Sequence, residues 1–257
     1  MENLFSMMVL AFVQGLTEWL PISSSGHLLL FEEILGYSGG LNFEIALHFG
    51  TLMAVFIYFR KEIINISRDF FSGKWKTPDG KMGVFIAVGT IPAVLVGVFA
   101  SRYFDTIVSD FILLGMGFLV TGILLLIVGF GDSIKKKELD NKKSLIIGMA
   151  QAVAILPSIS RSGATISSGI LLGLDEKRAM QFSFLLSIPA ILGASVLSFG
   201  SGALPLYLII PILVSFSVGL GTIHLCFKYA LNKRRNFAWF GFYCILLGIA
   251  LTIFSLV

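Results

Sequence analysis

The sequence predicts an all-α polytopic membrane protein, a single domain over residues 1–257, built as an inverted-topology repeat. Three observations carry this. Apolar residues make up 56% of the 257 and charged residues 13%, where soluble domains average about 25% charged, and mean hydropathy is +0.91. Several apolar stretches reach the roughly 20 residues that a crossing helix needs. The chain also matches itself when slid by 137 positions. The composition excludes a soluble globular enzyme and a disordered chain. The net charge of +4 reflects where basic residues sit relative to a bilayer, so no nucleic-acid partner is expected. Cys226 and Cys244 lie in apolar stretches without CxxC spacing and indicate neither a disulfide nor a zinc site.

Five stretches qualify as spans on length alone: 82–100, 111–130, 180–199, 203–227 and 237–257. A sixth, 43–59, is shorter and carries Glu44 and His48 near its start. The stretch 4–13 is too short to cross and lacks the basic n-region and cleavage pattern of a signal peptide, so it reads as mature structure. Two regions do not fit simple spans. Residues 4–35 are two apolar halves around Pro21-Ile22-Ser23-Ser24-Ser25-Gly26, and 145–174 repeat the arrangement around Pro157-Ser158-Ile159-Ser160-Arg161-Ser162-Gly163. Pro and Ser/Gly clusters break helices, and irregular backbone at membrane depth is tolerated only where it is buried in protein or lines a cavity. These read as two re-entrant hairpins, with two kinked full spans as the alternative.

The 137-position shift places Gln14 on Gln151, Ile22 on Ile159, Ser23 on Ser160, Ser25 on Ser162 and Gly26 on Gly163. With small gaps Ala46, Phe49 and Leu52 fall on Ala179, Phe182 and Leu185, and Gly115, Gly122 and Ile123 on Gly241, Gly248 and Ile249. Each half, about 1–131 and 144–257, is then one hairpin plus three transmembrane helices. Three crossings is an odd number, so the second half enters the membrane upside down. Loop charge gives the orientation. With both termini outside, the inside loops are 60–81, 131–144, 174–178 and 228–236. Of the 19 lysines and arginines, Arg102 alone then falls in an outside loop and Arg161 alone lies at membrane depth, as the positive-inside rule requires.

Ionisable residues at membrane depth are costly and point to function. Glu18 and Arg161 are the two here, both in the repeated broken motifs. A purely structural buried ion pair is the alternative, but it leaves the hydroxyl cluster unexplained. Gln14 and Glu18 are spaced i, i+4 and share a helix face. Ser24 and His27, three apart, can approach as nucleophile and base. Ser23 and Ser25 cap a helix or contact phosphate. The second motif has the look of an anion site: a helix restarting near Ser160 exposes N–H groups, Arg161 adds a fork suited to phosphate, Ser162 and Thr165 add hydroxyls, and small Gly163 lets a ligand approach. The repeat aligns Ser24 with Arg161, Glu18 with Ile155 and His27 with Ala164, which separates a hydroxyl-bearing half from a phosphate-holding half. His48 and His224 read as structural, and Trp19, Trp75 and Trp239 as packing or interface residues.

These motifs resemble those of the undecaprenyl-diphosphate phosphatases of the bacitracin-resistance family. The pattern [E/Q]GxxE followed by PxSSxGH matches 14–27, PGxSRSGAT matches 157–165, and Phe43-Glu44 resembles the segment after the first hairpin. The resemblance covers the whole chain. It implies removal of the terminal phosphate from a polyprenyl diphosphate, recycling the lipid carrier for envelope glycan synthesis, at a groove on the outer face of the cell membrane with Mg²⁺ or Ca²⁺ as cofactor. It implies Ser24 as nucleophile with His27 as base, or His27 as nucleophile, Glu18 as the acid tied to the cation, and Arg161 as the phosphate ligand. Two departures stand out. Gln14 replaces a frequent Glu and leaves a weaker metal ligand, and Ser158 replaces the usual Gly. A lipid-phosphate flippase or transporter on the same scaffold is the rival function. Oligomeric state is left open, a homodimer included.

Overall fold

The computed structural model describes residues 2–100, 111–132, 136–199 and 205–255. Arg102 and Lys135, which enter the charge argument, and residues 203, 204, 256 and 257 of the last two apolar stretches lie outside the described residues. The described residues are helical and contain no strand. In order the helices are α1 (Glu2–Thr17), α2 (Ser24–Leu35), α3 (Gly40–Tyr58), α4 (Arg60–Phe71), α5 (Pro78–Ala100), α6 (Phe111–Phe130), α7 (Asn141–Val153), α8 (Arg161–Leu171), α9 (Glu176–Phe199), α10 (Ile209–Leu225) and α11 (Asn236–Phe254).

Among the described residues five helical segments are long and apolar enough to cross a membrane: α3, Pro78–Val98 of α5, α6, α10 with its flanking turns (Leu206–Ala230), and α11. The remaining expected span, 180–199, lies within α9, which is 24 residues long and carries Gln181, Ser183 and Ser187 in its first half. The four helices of the broken regions are shorter. α1 has 16 residues, α2 has 12, α7 has 13 and α8 has 11, and at 1.5 Å per residue none spans about 30 Å of hydrocarbon. The expected loop 60–81 instead opens with a helix, α4, because Ile63, Ile66 and Phe70 recur at helical spacing and pack towards α5. The chain after α4 folds back on it: Thr77 Oγ1 donates to Asp69 Oδ2 at 2.8 Å and Trp75 Nε1 donates to the Phe70 carbonyl at 2.9 Å. The Thr77 hydroxyl, with Arg68 alongside, holds the Asp69 carboxyl below the ordinary carboxylate range.

Both breaks have local causes. α1 ends as Pro21 approaches, and α2 starts from Ser23, whose φ of 68° is held while its Oγ accepts from the Gly26 N–H at 3.3 Å. α8 starts from Ser160, whose Oγ accepts from the Gly163 N–H at 3.0 Å. Ser158 has φ 61°, a left-handed conformation that favours glycine, which is the physical sense of the Gly expected at that position.

The helices pack in corresponding pairs. α1 lies on α10 and α7 on α5; α3 lies on α10 and α9 on α5; α6 pairs with α11, and α3 with α9. Small residues allow the closest of these contacts. A Cβ on Gly115 would stand 2.9 Å from the Gly248 carbonyl oxygen, and one on Gly122 2.9 Å from the Gly241 carbonyl oxygen, so α6 and α11 touch along their backbones. Trp19, Phe118, Phe182, Phe184 and Phe237 are fully buried at the centre, with the Trp19 and Phe184 rings 4.9 Å apart.

The α5–α7 contact gives a matched pair of substitutions. A Cβ on Gly148 would meet the Gly89 carbonyl oxygen at 2.2 Å, while one on Gly221 meets nothing within 4 Å. Gly148→Ala should destabilise by about 1–3 kcal/mol, and Gly221→Ala should be neutral or stabilise by up to about 1 kcal/mol. Thermal unfolding in detergent measures both; equal effects would contradict the packing described for α5 and α7.

Candidate active site

The two broken turns meet on one carboxylate. Glu18 continues the last turn of α1, its N–H donating to the Gln14 carbonyl at 3.0 Å, so Gln14 and Glu18 stand on one helix face. Gln14 Nε2 donates to Glu18 Oε2 at 3.0 Å. Ser24, the first residue of α2, donates its hydroxyl to the same oxygen at 2.5 Å. Arg161, the first residue of α8, forms an ion pair with Glu18 Oε1 through Nη2. His48 of α3 places Nε2 3.6 Å from Glu18 Oε2, while its Nδ1 faces the Glu44 carbonyl at 2.9 Å. The carboxylate side chain is 5% exposed, against 17% for Arg161 and 27% for His48, so both of these side chains reach further outward than the acid they contact. The Arg161 guanidinium lies over the Trp19 ring at 5.5 Å, a cation–π contact.

Several residues of the second motif join the turns together. Ser162 Oγ donates to the Leu20 carbonyl at 2.8 Å and lies 3.2 Å from Ser160 Oγ. A Cβ on Gly163 would stand 3.3 Å from the Pro21 carbonyl oxygen, so this glycine admits the facing turn. Thr165 Oγ1 donates to the Arg161 carbonyl at 2.8 Å and lies 2.6 Å from Ser183 Oγ of α9. In the first motif Ser23 Oγ lies 3.4 Å from Ser25 Oγ, and Ser25 is exposed.

His27 stands apart from the Ser24–Glu18 bond. Its Nδ1 faces the Ser23 carbonyl at 2.7 Å and its Nε2 faces the Tyr243 hydroxyl at 2.6 Å. Ser24 therefore finds its partner in Glu18 rather than in the histidine three residues on. The reason is local. The Ser23 conformation turns its carbonyl towards the His27 ring, while Ser24, starting the helix, points back across the break.

Some buried polar atoms at this point have no protein partner: Gln14 Oε1, Trp19 Nε1, Ser158 Oγ and Arg161 Nη1. The guanidinium thus has one nitrogen, Nη1, that no protein group contacts. α2 and α8 also both begin here, and helix starts present N–H groups without intrahelical partners. Hydroxyl, carboxylate, guanidinium and two helix starts at one point suit nucleophilic displacement at a phosphoryl centre.

Sequence reasoning left Tyr243 unnoticed, read His48 as structural and gave Trp19 no role beyond packing or anchoring at the membrane interface. His48 carries a weak signal, a histidine following Phe43-Glu44 in an otherwise apolar helix. Tyr243 carries none, since one aromatic in a span is ordinary.

Residues 7–250 match the model of the family described as "Bacitracin resistance protein BacA". An undecaprenyl-diphosphatase of Korarchaeum cryptofilum is 38% identical over 95% of this chain and 96% of its own length. One of Carboxydothermus hydrogenoformans is 37% identical over 98% and 97%. One of Alteromonas mediterranea is 42% identical over 76% of each. With a family match across nearly the whole chain and relatives of this identity along its full length, the chain belongs to the bacitracin resistance protein BacA family of multi-pass membrane proteins.

Proposed function

We propose that the chain hydrolyses undecaprenyl diphosphate, or a related polyprenyl diphosphate, to the monophosphate and inorganic phosphate, returning the lipid carrier to envelope glycan synthesis. The observation that carries the reading is the Ser24 hydroxyl held against Glu18 beside Arg161, in a chain whose relatives are named undecaprenyl-diphosphatase. An anion-binding transporter needs the arginine but has no use for a hydroxyl hydrogen-bonded to a carboxylate. The two hairpins are re-entrant, the halves about 1–131 and 144–257 are inverted repeats in one domain, both termini are outside, and the groove opens to the outer face. The corresponding helix pairs and the distribution of basic residues support this arrangement.

In this mechanism the prenyl chain stays in lipid and the diphosphate enters at the two helix starts. The unpartnered Nη1 of Arg161 takes a phosphoryl oxygen, and the first N–H groups of α2 and α8 take others. Ser24 Oγ attacks the terminal phosphorus in line. A phosphorus–Oγ bond forms, the bond to the bridging oxygen breaks, and prenyl monophosphate leaves. The hydroxyl proton passes to Glu18 Oε2, which already accepts that hydrogen; Glu18 thus takes the role that His27 was expected to fill. Water then cleaves the phosphoseryl ester, releasing phosphate and restoring the hydroxyl. Ser160, Ser162, Gly163 and Thr165 hold the turns in register, and Ser25, being exposed, is free to meet phosphate.

Among the described residues no three His, Cys, Asp or Glu side chains gather as a metal cage. The donors present, Glu18 and the unpartnered Gln14 Oε1, fit a divalent cation held largely by substrate phosphates, as Mg²⁺ commonly is, with Ca²⁺ the alternative. Such a cation, when bound, neutralises phosphoryl charge.

Phosphate release from farnesyl and longer polyprenyl diphosphates by purified protein in detergent tests the reading. Release should be abolished by EDTA. Ser24→Ala should fall to background, and Arg161→Ala should lose roughly a hundredfold or more in kcat/KM. Near-normal turnover by Ser24→Ala would replace serine attack with direct attack by water. Lipid binding without phosphate release at any chain length would favour transport.

A further inference from the structure

The contacts around His27 extend the site to a residue from the far end of the chain. A carbonyl oxygen only accepts, so the bond to Ser23 places a hydrogen on Nδ1. Nε2 of the neutral ring is then an acceptor, and the Tyr243 hydroxyl, 2.6 Å away, donates to it. The two rings also stack, 5.7 Å apart at 11°, and the Phe118 ring meets the imidazole edge-on at 5.3 Å. His27 is 5% exposed. Both ring nitrogens are therefore committed, and the ring is clamped between α6 and α11.

What the clamp holds is the residue before Ser24. Ser23 sits at φ 68° and ψ 99°, an unfavourable backbone state for a residue with a side chain, and such states persist where surroundings over-determine them. Here the surroundings are the Ser23 Oγ cap on the Gly26 N–H, the His27 ring on the Ser23 carbonyl, and Phe118 beneath Gly26, where an added Cβ would come within 2.6 Å of the ring. The Ser23 conformation sets the direction in which Ser24 leaves the turn. The second break is likewise braced from α6. The Ser160 N–H donates to Thr121 Oγ1 at 3.0 Å, and Gly117 lies against Pro157 and Ser158. α6 and α11 are the matching helices of the two halves in the sequence alignment, so each broken turn has a brace on one of that pair.

We propose that Tyr243 is a positioning residue for the reaction. Its hydroxyl fixes His27 as the Nδ1–H tautomer and, through the Ser23 carbonyl, holds the turn that presents Ser24 to Glu18. This rests on the reading of Ser24 as nucleophile given above. Tyr243 touches neither Ser24 nor the phosphate in this scheme and acts only through His27.

Tyr243→Phe removes one oxygen and keeps the stacked ring. It should lower kcat about tenfold, the effect of one lost hydrogen bond, with KM unchanged and thermal unfolding shifted down by only a few degrees. His27→Ala should lower kcat at least as far, and Tyr243→Phe should add nothing to it. In protein with ¹⁵N-labelled histidine, His27, assigned by its disappearance in His27→Asn, should show the Nδ1–H tautomer, and Tyr243→Phe should give a tautomer mixture. Normal turnover by Tyr243→Phe, losses that multiply in the double variant, or an unchanged tautomer signature would each overturn the proposal. If the unaltered protein hydrolyses no polyprenyl diphosphate, the diphosphatase reading fails by itself, and the tautomer signature still decides whether Tyr243 sets His27.

Discussion

A carboxylate and a guanidinium separated by 143 residues of chain are paired in the interior of this protein, and the rest of the structure is arranged to permit that pair. Either charge alone at this depth would cost several kcal/mol. Together they are compensated by each other and by the groups gathered round them: Gln14 and Ser24 on one oxygen of Glu18, His48 nearby, and the Trp19 ring under Arg161. To bring Glu18 and Arg161 within reach, the end of α1 and the start of α8 must meet. That requires both broken regions to reach the same point, and it requires the glycines that let facing backbones approach.

The breaks carry their own cost, which explains much of the polar inventory around them. A broken helix frees backbone carbonyls, and in surroundings poor in water each needs a partner. Ser162 serves the Leu20 carbonyl, His27 the Ser23 carbonyl, and Cys226 approaches the Trp19 carbonyl at 3.8 Å. Residues that look in the sequence like phosphate ligands are thus partly the means by which an irregular backbone stays buried. The buried side-chain atoms left without a protein partner around the breaks include Arg161 Nη1, Gln14 Oε1, Trp19 Nε1 and Ser158 Oγ.

The sequence made the frame and the charged pair legible because both are contrasts against an apolar background. Glu18 and Arg161 stand out as charges beside the two helix breaks, and Gln14 lies one helical turn from Glu18. The breaks were legible through Pro and Ser clustering. Pairings set by direction rather than by type were not. Ser24 and His27 are close in sequence, yet one reaches back over the break and the other turns to a carbonyl, a choice fixed by the φ of Ser23. His48 and Tyr243 reach the site only because α3 and α11 pack beside it, and nothing local to either residue signals that. The helix α4 reads as loop in the sequence because five charged residues are interspersed with its five apolar ones.

Ser24 and Arg161 are aligned by the 137-position shift, and each is the first residue of its helix. One contacts Oε2 of Glu18 and the other Oε1. Positions aligned in the sequence thus converge on a single carboxylate, and the difference between them has a chemical meaning. One helix start offers a hydroxyl and the other a cation, and the carboxylate between them belongs to only one half. In the diphosphatase reading, a phosphoryl group taken by Nη1 of Arg161 leaves the Nη2 contact with Glu18 in place. The cation that holds the phosphate and the hydroxyl that must lose its proton then stand on the two oxygens of one carboxylate.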